Sequence, residues 1–417
     1  MSKWEWKKLG DLYPIVMGKT PPRGDSSYWD KEKKTNNIWV SIADISANEN
    51  SIIRDSKEYI SNKAAKNIKL VASDSLLVSF KLTIGKMAFA GVPLYTNEAI
   101  ISLPPRKDIS LEYLHKYFLY FDWDKACSGD VKVKGKTLNK EKLKNIDVLL
   151  PPLSEQKRIV KFLDEEFSKI DTLKTNAETN LKNAKELFET TLEKELNPLS
   201  RHSERSEESS AELPSGWELK ALGDVCYRIK RGKAPKYVEQ SDVLVFAQKC
   251  NQPDGTMSLE KALCLDPSIL GKYKAEDYVK EGDVLVNSTG NGTVGRVGFF
   301  NNKLLNNKKP VVPDTHITTI RGLANTFPKY LYYFLKPKES YLSDKSLGTT
   351  NMKELHADVL EHLQIPLPPL SVQKEIVARL DKLSEDVKRL EANYKQIITN
   401  CDELKKSILK KTFERES

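Results

Sequence analysis

The feature that most constrains this chain is an internal repeat, because two copies of one segment imply two copies of one structural unit. The most extensive match sets PPLSEQK against PPLSVQK. The matched segments are 4–11 with 217–224, 18–21 with 232–235, 74–78 with 283–286, and 151–157 with 368–374. Each copy begins 209 to 217 residues after its partner, in a chain of 417 residues. One unit has therefore been duplicated.

Each repeat ends in a predicted long helix. The Pro-Pro-Leu-Ser runs at 151–154 and 368–371 end the preceding segment, and their serines are expected to cap the first free N–H groups. The first helix carries a loose apolar stripe from Ile159 to Leu196 and ends before Pro198. The second carries a heptad pattern typical of coiled coils. Its members are Ile376, Leu380, Leu383, Val387, Leu390, Tyr394, Ile397, Cys401, Leu404 and Ile408. Stripes this narrow predict that the two helices pack on each other.

The segment between the repeats predicts the relative direction of the helices. Residues 198–212 are polar and low in complexity, which predicts a disordered linker. Its 15 residues span at most about 50 Å, whereas about 40 helical residues form a rod of about 60 Å. The second repeat is therefore expected to start near the far end of the first helix, with its own helix running back. The prediction is an antiparallel helix pair with one globular domain at each end.

The sequence predicts an α+β fold: two tandem mixed α/β domains separated by two long helices that form an antiparallel coiled coil. The predicted ranges are a first globular domain at 1–150, a first long helix at 151–197, a linker at 198–212, a second globular domain at 213–367 and a second long helix at 368–417. The predicted strands include 38–42, 76–80 and 243–246, and short aromatic helices are predicted at 111–121 and 328–335.

Positive charge collects on the two globular domains. The chain has 67 Lys+Arg against 58 Asp+Glu, a formal net charge of +9. Residues 1–150 carry 25 basic against 18 acidic side chains, and residues 213–367 carry 21 against 17. This distribution is expected where globular domains meet phosphate, although a basic balance alone does not require a polyanion.

Membrane and disulfide-based classes find no support in the residues. No apolar run approaches the roughly 20 residues that span a bilayer, and the first residues are not expected to form a signal peptide. The five cysteines contain no CxxC pair, which argues against a disulfide framework or structural zinc. We predict a cytoplasmic protein without a membrane partner.

Enzymatic interpretations are also weak. The run at 129–137 has five residues between its glycines where a phosphate-binding loop has four. Pro313-Asp314 with Asp386 and Lys388 fits a nuclease pattern formally, but Val387 lies on the heptad stripe. The five histidines form no metal-spaced pair, and no nucleophile–base set is readable. We predict no catalytic residue, no metal site and no cofactor.

Glycine- and proline-rich loops with basic residues are the candidate binding elements. The loop at 18–23 precedes Tyr28-Trp29, and the segment at 228–237 takes its place in the second repeat. Glycine and proline fix a loop shape there, and lysine and arginine can reach phosphates or guanine edges. The alternative is that these are solvated loop charges beside core aromatics. The candidate DNA contacts are Lys19, Thr20, Arg23, Lys81, Lys86, Lys230, Arg231, Lys233, Lys236 and Arg296.

The order of these features resembles the specificity subunit of type I restriction–modification enzymes. The resemblance covers essentially the whole chain, with the Gly18 loop, Tyr28-Trp29, the Gly85-Lys86 turn and the two Pro-Pro-Leu-Ser-x-Gln-Lys helices similar to that family. It implies two target-recognition domains that each read half of a bipartite site in double-stranded DNA, with the helices as a ruler. It also implies two docked methyltransferase subunits, joined by motor-nuclease subunits. The second domain departs from the pattern at Lys236-Tyr237.

Two other hypotheses remain open at this point. The chain is also compatible with a non-catalytic coiled-coil adaptor whose basic domains bind protein rather than DNA. The same fold could also serve a related, fused restriction enzyme. Salt-sensitive retention on duplex DNA separates the DNA-binding hypothesis from the adaptor.

Overall fold

The computed structural model describes residues 4–127, 131–132, 135–136, 138–197, 213–252, 256–301, 308–349 and 352–414. The chain forms two compact units. The first contains the chain up to Glu178 together with the chain from Lys395 onward, and the second contains Thr179–Tyr394. The predicted linker at 198–212 and part of the loop at 129–137 lie outside the described residues.

The first half of the chain alternates short strands and short helices before one long helix. The strands are β1 (Glu5–Lys8), β2 (Ile38–Val40), β3 (Ile52–Ile53), β4 (Glu58–Tyr59), β5 (Leu76–Ser79), β6 (Met87–Ala90), β7 (Tyr95–Thr96), β8 (Ile100–Leu103), β9 (Val131–Lys132), β10 (Gly135–Lys136) and β11 (Asp147–Leu150). The helices are α1 (Leu9–Leu12), α2 (Ile42–Ala47), α3 (Asn62–Ala65), α4 (Leu111–Tyr120), α5 (Trp123–Ala126), α6 (Lys140–Lys144) and α7 (Leu153–Leu196).

The second half repeats this alternation. The strands are β12 (Glu218–Ala221), β13 (Cys226–Arg231), β14 (Tyr237–Val238), β15 (Leu244–Phe246), β16 (Leu263–Leu265), β17 (Val284–Asn287), β18 (Val297–Phe299), β19 (Val311–Pro313), β20 (Ile317–Gly322), β21 (Leu347–Thr349), β22 (Met352–Glu354) and β23 (Gln364–Leu367). The helices are α8 (Leu222–Val225), α9 (Pro328–Leu335), α10 (Glu339–Asp344), α11 (Ala357–Glu361) and α12 (Leu370–Phe413).

The sequence repeat is also a repeat of sheet topology. In the first unit β5 lies between β6 and β8, and in the second β17 lies between β18 and β20, all antiparallel. In a second sheet of the first domain, β2 pairs parallel to β7 and antiparallel to β4. In the second domain, β15 likewise pairs parallel to β19 and antiparallel to β16. The first strand of each domain pairs with its last, β1 with β11 and β12 with β23. Both domains are therefore mixed α/β structures, as predicted.

The aromatic helices α4 and α9 support the cores of the two domains. Both were predicted, and α9 begins at Pro328, whose missing N–H costs nothing at the first helical position. Their buried tyrosines make equivalent bonds: the Tyr113 hydroxyl donates to the Leu149 carbonyl, and the Tyr330 hydroxyl donates to the Pro366 carbonyl, both at 2.6 Å. Each helix is thereby tied to the last strand of its own domain.

The predicted strand at 38–42 is wrong at its end. The strand stops at Val40 because Ser41 and Asp44 form a capping box that begins helix α2. The Ser41 backbone N–H donates to the Asp44 carboxylate at 2.8 Å. The apolar run of this segment concealed a capping signal formed by Ser41 and Asp44.

The serines of the Pro-Pro-Leu-Ser runs do not cap the long helices, which corrects the sequence prediction. Helices α7 and α12 each begin at the leucine that precedes the serine, so Ser154 and Ser371 lie exposed within the first turn. The Pro152 and Pro369 carbonyls accept the first helical hydrogen bonds, each at 3.0 Å. The prolines need no N–H partner and already hold a backbone angle suited to the helix start.

The glutamine two residues after each serine joins the helix start to its domain, a role that the sequence analysis missed. The buried Gln156 side chain accepts from the Ser110 N–H and donates to the Pro151 carbonyl, both at 2.8 Å. The Gln373 side chain accepts from the Phe327 N–H at 2.7 Å and donates to the Pro368 carbonyl at 2.8 Å. The retention of glutamine in both repeats was the available signal.

The two long helices run antiparallel, as predicted. Within the first unit, Lys174 pairs with Asp402 at 2.8 Å and Asp171 pairs with Lys405. The residue numbers of the paired side chains therefore decrease along α7 as they increase along α12. Within the second unit, Arg379 of α12 pairs with Glu195 near the end of α7 at 2.7 Å. The start of each helix therefore contacts the end of the other.

One row of the predicted heptad stripe is buried or half-buried throughout, and the second row is exposed from Leu390 onward. Leu380, Val387 and Cys401 are buried, whereas Leu390, Ile397 and Leu404 are 39%, 40% and 48% exposed. A single partner helix covers a narrow strip, which leaves the second row at its edge. The full ten-residue seam predicted for α12 is therefore wrong in extent.

The end of each long helix belongs to the core of the domain in the other repeat. Phe413 of α12 is buried in the first unit, with its ring 5.4 Å from that of Tyr117 and 5.6 Å from that of Tyr120. Leu192 and Leu196 of α7 are buried in the core of the second unit. Each domain is thus completed by a helix end from the opposite half of the sequence.

Candidate nucleic-acid interface

The glycine that opens each basic loop is required by the fold. A Cβ at Gly18 would lie 2.0 Å from the Thr96 carbonyl oxygen, and a Cβ at Gly232 would lie 2.0 Å from the Pro313 carbonyl oxygen. Thr96 and Pro313 are the last residues of the equivalent strands β7 and β19. The repeated Gly-Lys pair therefore marks the point where each loop crosses a strand end.

Two tryptophans fix the loop that follows Gly18. The Trp39 indole N–H donates to the Lys19 carbonyl at 3.1 Å, and the Trp29 indole N–H donates to the Pro22 carbonyl at 3.0 Å. The two rings meet edge to face with their centroids 5.2 Å apart. Trp39 is a buried core aromatic and also holds the loop, so a core role and a loop role are not alternatives for this residue.

Arg23, at the end of this loop, lies against both indoles. Its guanidinium carbon is 4.2 Å from the Trp29 ring centroid and 4.9 Å from that of Trp39, which are cation–π distances. The guanidinium also forms a two-point bond to the Glu58 carboxylate, with the Nη2–Oε2 distance at 3.1 Å. The Arg23 side chain stays 54% exposed. The cation–π contacts and the two-point bond to Glu58 hold an accessible guanidinium in a defined orientation.

Thr20 and Lys81 come together around Glu98. Thr20 donates to the Glu98 carboxylate. Partial burial opposes ionisation of Glu98, but the Thr20 bond and the charge of Lys81 hold its pKa below the ordinary value. Lys86 lies elsewhere, paired with Glu49. Of the first-domain candidates, Lys19, Thr20, Arg23 and Lys81 therefore lie around one loop.

The corresponding cations of the second domain are half-buried and paired with carboxylates of the protein. Arg231 pairs with Glu354 and donates to the Ser288 carbonyl at 3.1 Å. Lys233 donates to Asp277 at 2.6 Å. These two side chains stabilise the base of the loop, which sequence reasoning did not predict because their partners lie far along the chain.

Asp277 is the acidic centre of this network. Burial of its carboxyl opposes ionisation, but hydrogen bonds from Lys233, the Lys274 N–H and Arg228 hold its pKa at about 2. The Arg228 side chain is buried beside it, at an N–O distance of 3.0 Å. A buried pair with this many donors is a fixed structural element.

The remaining candidates differ in exposure. Lys19 and Lys230 are exposed. Arg296 donates to the backbone carbonyls of Asn251 at 3.3 Å and Gly292 at 3.1 Å. Lys236 is 67% exposed and pairs with Asp266 at 2.7 Å. The hydrogen bonds from Lys236 and from Ser268 hold the pKa of Asp266 at about 2.

The titratable groups of the described residues suggest structural roles. Burial lowers the pKa of His115 to about 4, and its Nε2 lies 2.8 Å from the Asn50 amide oxygen. Burial raises the thiol pKa of Cys226 to about 12 and of Cys250 to about 11, far from a reactive thiolate. Within the described residues no cluster of three His, Cys, Asp or Glu side chains could hold a metal ion. No helix in this part of the chain combines the length and apolarity of a membrane span.

Comparison with known proteins agrees with this geometry. The family model for the type I restriction modification DNA specificity domain matches twice, at residues 1–183 and 214–400. The chain belongs to this family. The type I restriction enzyme MjaIX specificity subunit of Methanocaldococcus jannaschii is 25% identical over 95% of this chain and 89% of its own length. The EcoBI specificity subunit of Escherichia coli is 22% identical over 83% and 74%.

Two solved structures share the fold. A chain from a structure described for complex assembly and conformational transition of the type I R-M system superposes with a TM-score of 0.74. It is 21% identical, over 99% of this chain and 97% of its own length. The HsdS subunit of Thermoanaerobacter tengcongensis gives a TM-score of 0.59 at 21% identity, over 98% and 96%. Both similarities cover both halves of the duplicated chain.

Proposed function

We propose that this chain is the DNA-recognition subunit of a type I restriction–modification complex, in which each domain reads one half of a bipartite duplex site. The single observation that carries the proposal is the duplicated DNA specificity domain. Each copy has its own sheets and its own basic loop that begins at a glycine, and each has a core that is completed by a helix end from the other repeat. In this proposal 1–150 and 213–367 are the target-recognition domains, and 198–212 links the two repeats.

The helices at 151–197 and 368–417 set the spacing of the half-sites and dock two methyltransferase subunits, which motor-nuclease subunits then join. Two features support this role. Each helix contributes buried residues to the cores of both repeats. The exposed row at Leu390, Ile397 and Leu404 gives α12 an apolar stripe beyond its helix contact.

The DNA contacts belong to the loop residues Lys19, Thr20, Arg23, Lys81, Lys86, Lys230, Arg231, Lys233, Lys236 and Arg296. Exposed Lys19 and Lys230 are suited to phosphates, which require charge more than fixed geometry. Catalysis, cofactors and metals enter with the partner subunits, and this chain supplies recognition alone. The family assignment favours this function over the protein-binding adaptor.

Methylome sequencing tests the proposal. Cells that express this chain with its methyltransferase subunit are expected to carry methyl groups at one bipartite motif, and cells that lack this chain are expected to carry none there. The purified complex should elute from duplex DNA in a salt-dependent manner, because phosphate contacts release counterions. A methylation pattern indifferent to the presence of this chain would contradict the proposal.

A further inference from the structure

The environment of Arg23 distinguishes it from the other cations of the candidate interface. Its loop is pinned at both ends, by the Trp39 bond to the Lys19 carbonyl and the Trp29 bond to the Pro22 carbonyl. The same two indoles lie within cation–π distance of its guanidinium. The cation is therefore oriented before any ligand arrives, which removes most of the ordering cost of binding.

The bond to Glu58 leaves part of the guanidinium available. A guanidinium has five N–H donors, and the two-point bond to Glu58 engages one on each terminal nitrogen. The other donors belong to the same fixed plane, and the side chain is more than half exposed. A planar donor pair is matched by two adjacent acceptors, and guanine presents its N7 and O6 in this arrangement in the major groove.

The cleft around Arg23 contains three basic and two acidic side chains, and the bond to Glu58 engages one of the acidic ones. Arg23 lies in an open cleft of about 530 Å³ whose wall includes the exposed Lys31 and Lys57. Lysines in the same cleft as a planar reader can contact phosphates while the reader contacts a base. Asp30, in the same wall, is held by the Thr35 N–H at 2.6 Å, and this bond lowers its pKa.

We propose that Arg23 reads a guanine in the half-site of the first domain, with Glu58 as its positioning residue. This inference rests on the proposed function and adds one feature of the target. The half-site of the first domain contains a G·C pair whose recognition depends on the Arg23 side chain. The flanking Lys31 and Lys57 supply affinity that does not depend on sequence.

The second domain has a lysine–aspartate pair where the first domain has the Arg23–Glu58 pair. Strand β16 matches β4 in topology, since each pairs antiparallel with the strand that also has a parallel neighbour. There Lys236 pairs with Asp266, the residue that follows β16. A lysine is a point charge without the planar fork of an arginine. The second half-site therefore does not depend on an equivalent guanine reader.

The test compares Arg23→Lys, Arg23→Ala and Glu58→Gln in the full chain, assembled with its methyltransferase subunits. The motif of the wild-type complex is first taken from the methylome. Binding is then measured to duplexes that carry that site or single base-pair changes in it. Arg23→Lys keeps the charge but loses the fork, so discrimination at one G·C pair of one half-site should fall roughly 5- to 150-fold. Arg23→Ala should show the same loss with weaker binding overall. Glu58→Gln should lower discrimination at that pair by a smaller factor.

Arg54→Ala is the matched control, because it removes one exposed positive charge from the same domain outside the cleft. It should leave discrimination unchanged at every base pair. The inference is overturned if Arg23→Lys keeps the wild-type motif, if the loosened pair is not G·C, or if both half-sites loosen together. A wild-type complex without a sequence-specific motif would instead refute the proposed function itself. The unaffected half-site reports folding of each variant.

Discussion

Gly18 and Gly232 illustrate how much of a motif can be structural. Both carry the Gly-Lys signature of the basic loops, and in both a Cβ would collide with the backbone of a strand end. A side chain there would displace backbone rather than a flexible group, so each loop can keep its course only with glycine. The motif thus needs a glycine so that the loop fits beside the strand end, and the lysine that follows the glycine supplies the positive charge.

We expect Gly18→Ala and Gly232→Ala each to lower the free energy of unfolding by about 1–3 kcal/mol or more, as overpacking against rigid neighbours does. Denaturant unfolding of the full chain measures this. Gly24→Ala is the control, since a Cβ at Gly24 meets nothing within 4 Å. Equal effects at Gly18 and Gly24 would show that the loop can shift away from the strand.

Asp277 makes the second domain sensitive to acid. Its folded pKa, about 2, lies below the usual value for aspartate, so the unfolded chain takes up the proton first. The stabilisation is complete above about pH 4 and is lost as the pH falls from about 4 to about 2, with a magnitude of roughly 2–3 kcal/mol.

Unfolding midpoints measured between pH 5 and pH 2 check this effect. Asp277→Asn should flatten the dependence on pH in that window and should lower stability at neutral pH, because buried Arg228 then lacks its counter-charge. Exposed Asp242→Asn is the control and should preserve the wild-type profile. An unchanged profile for Asp277→Asn would assign the acid sensitivity to other carboxyl groups.

At the scale of elements, the long helices do more than pair with each other. Their amphipathic stripes were readable, but the last turn of α12 turns a different face to the protein. Leu409 and Phe413 are buried there although neither belongs to the heptad stripe. A helix that ends in the core of a domain is held more firmly than a helix–helix contact alone would hold it.

Phe413→Ala should cost the first unit about 3–5 kcal/mol, the usual range for emptying a buried aromatic site. Phe162→Ala is the matched control on α7, since that ring is 47% exposed, and it should change stability by about 0.5 kcal/mol or less. Chemical unfolding of the two variants side by side decides the matter. A Phe413 effect no larger than that of Phe162 would mean that the helix end does not contribute to the core.

At the scale of the whole molecule, duplication predicts modular recognition. Each domain has its own core clusters and its own loop, and each sheet pairs strands of one repeat. Exchange of residues 1–150 for the equivalent domain of a relative should therefore change one half of the methylation motif and keep the other. Methylome sequencing of cells with the chimaeric chain provides the measurement. Simultaneous change of both halves would contradict the two-module interpretation.

The sequence by itself determined the features that are local or repeated. Periodicity specified the long helices and the aromatic helices, because burial along one face is visible in consecutive residues. The repeat predicted that the two halves of the chain have the same fold. The Gly-Lys motif located the loops, although the steric reason for the glycine was not visible.

Which carboxylate each loop cation pairs with was decided only by the tertiary structure. Arg231 and Lys233 look like solvent-facing loop cations, yet their carboxylate partners lie 123 and 44 residues away in sequence. Arg23 gains its fixed plane from Trp39 and from Glu58, 35 residues away. An ion pair depends on which carboxylate the fold brings within hydrogen-bonding distance, and nothing in the neighbouring sequence encodes that distance.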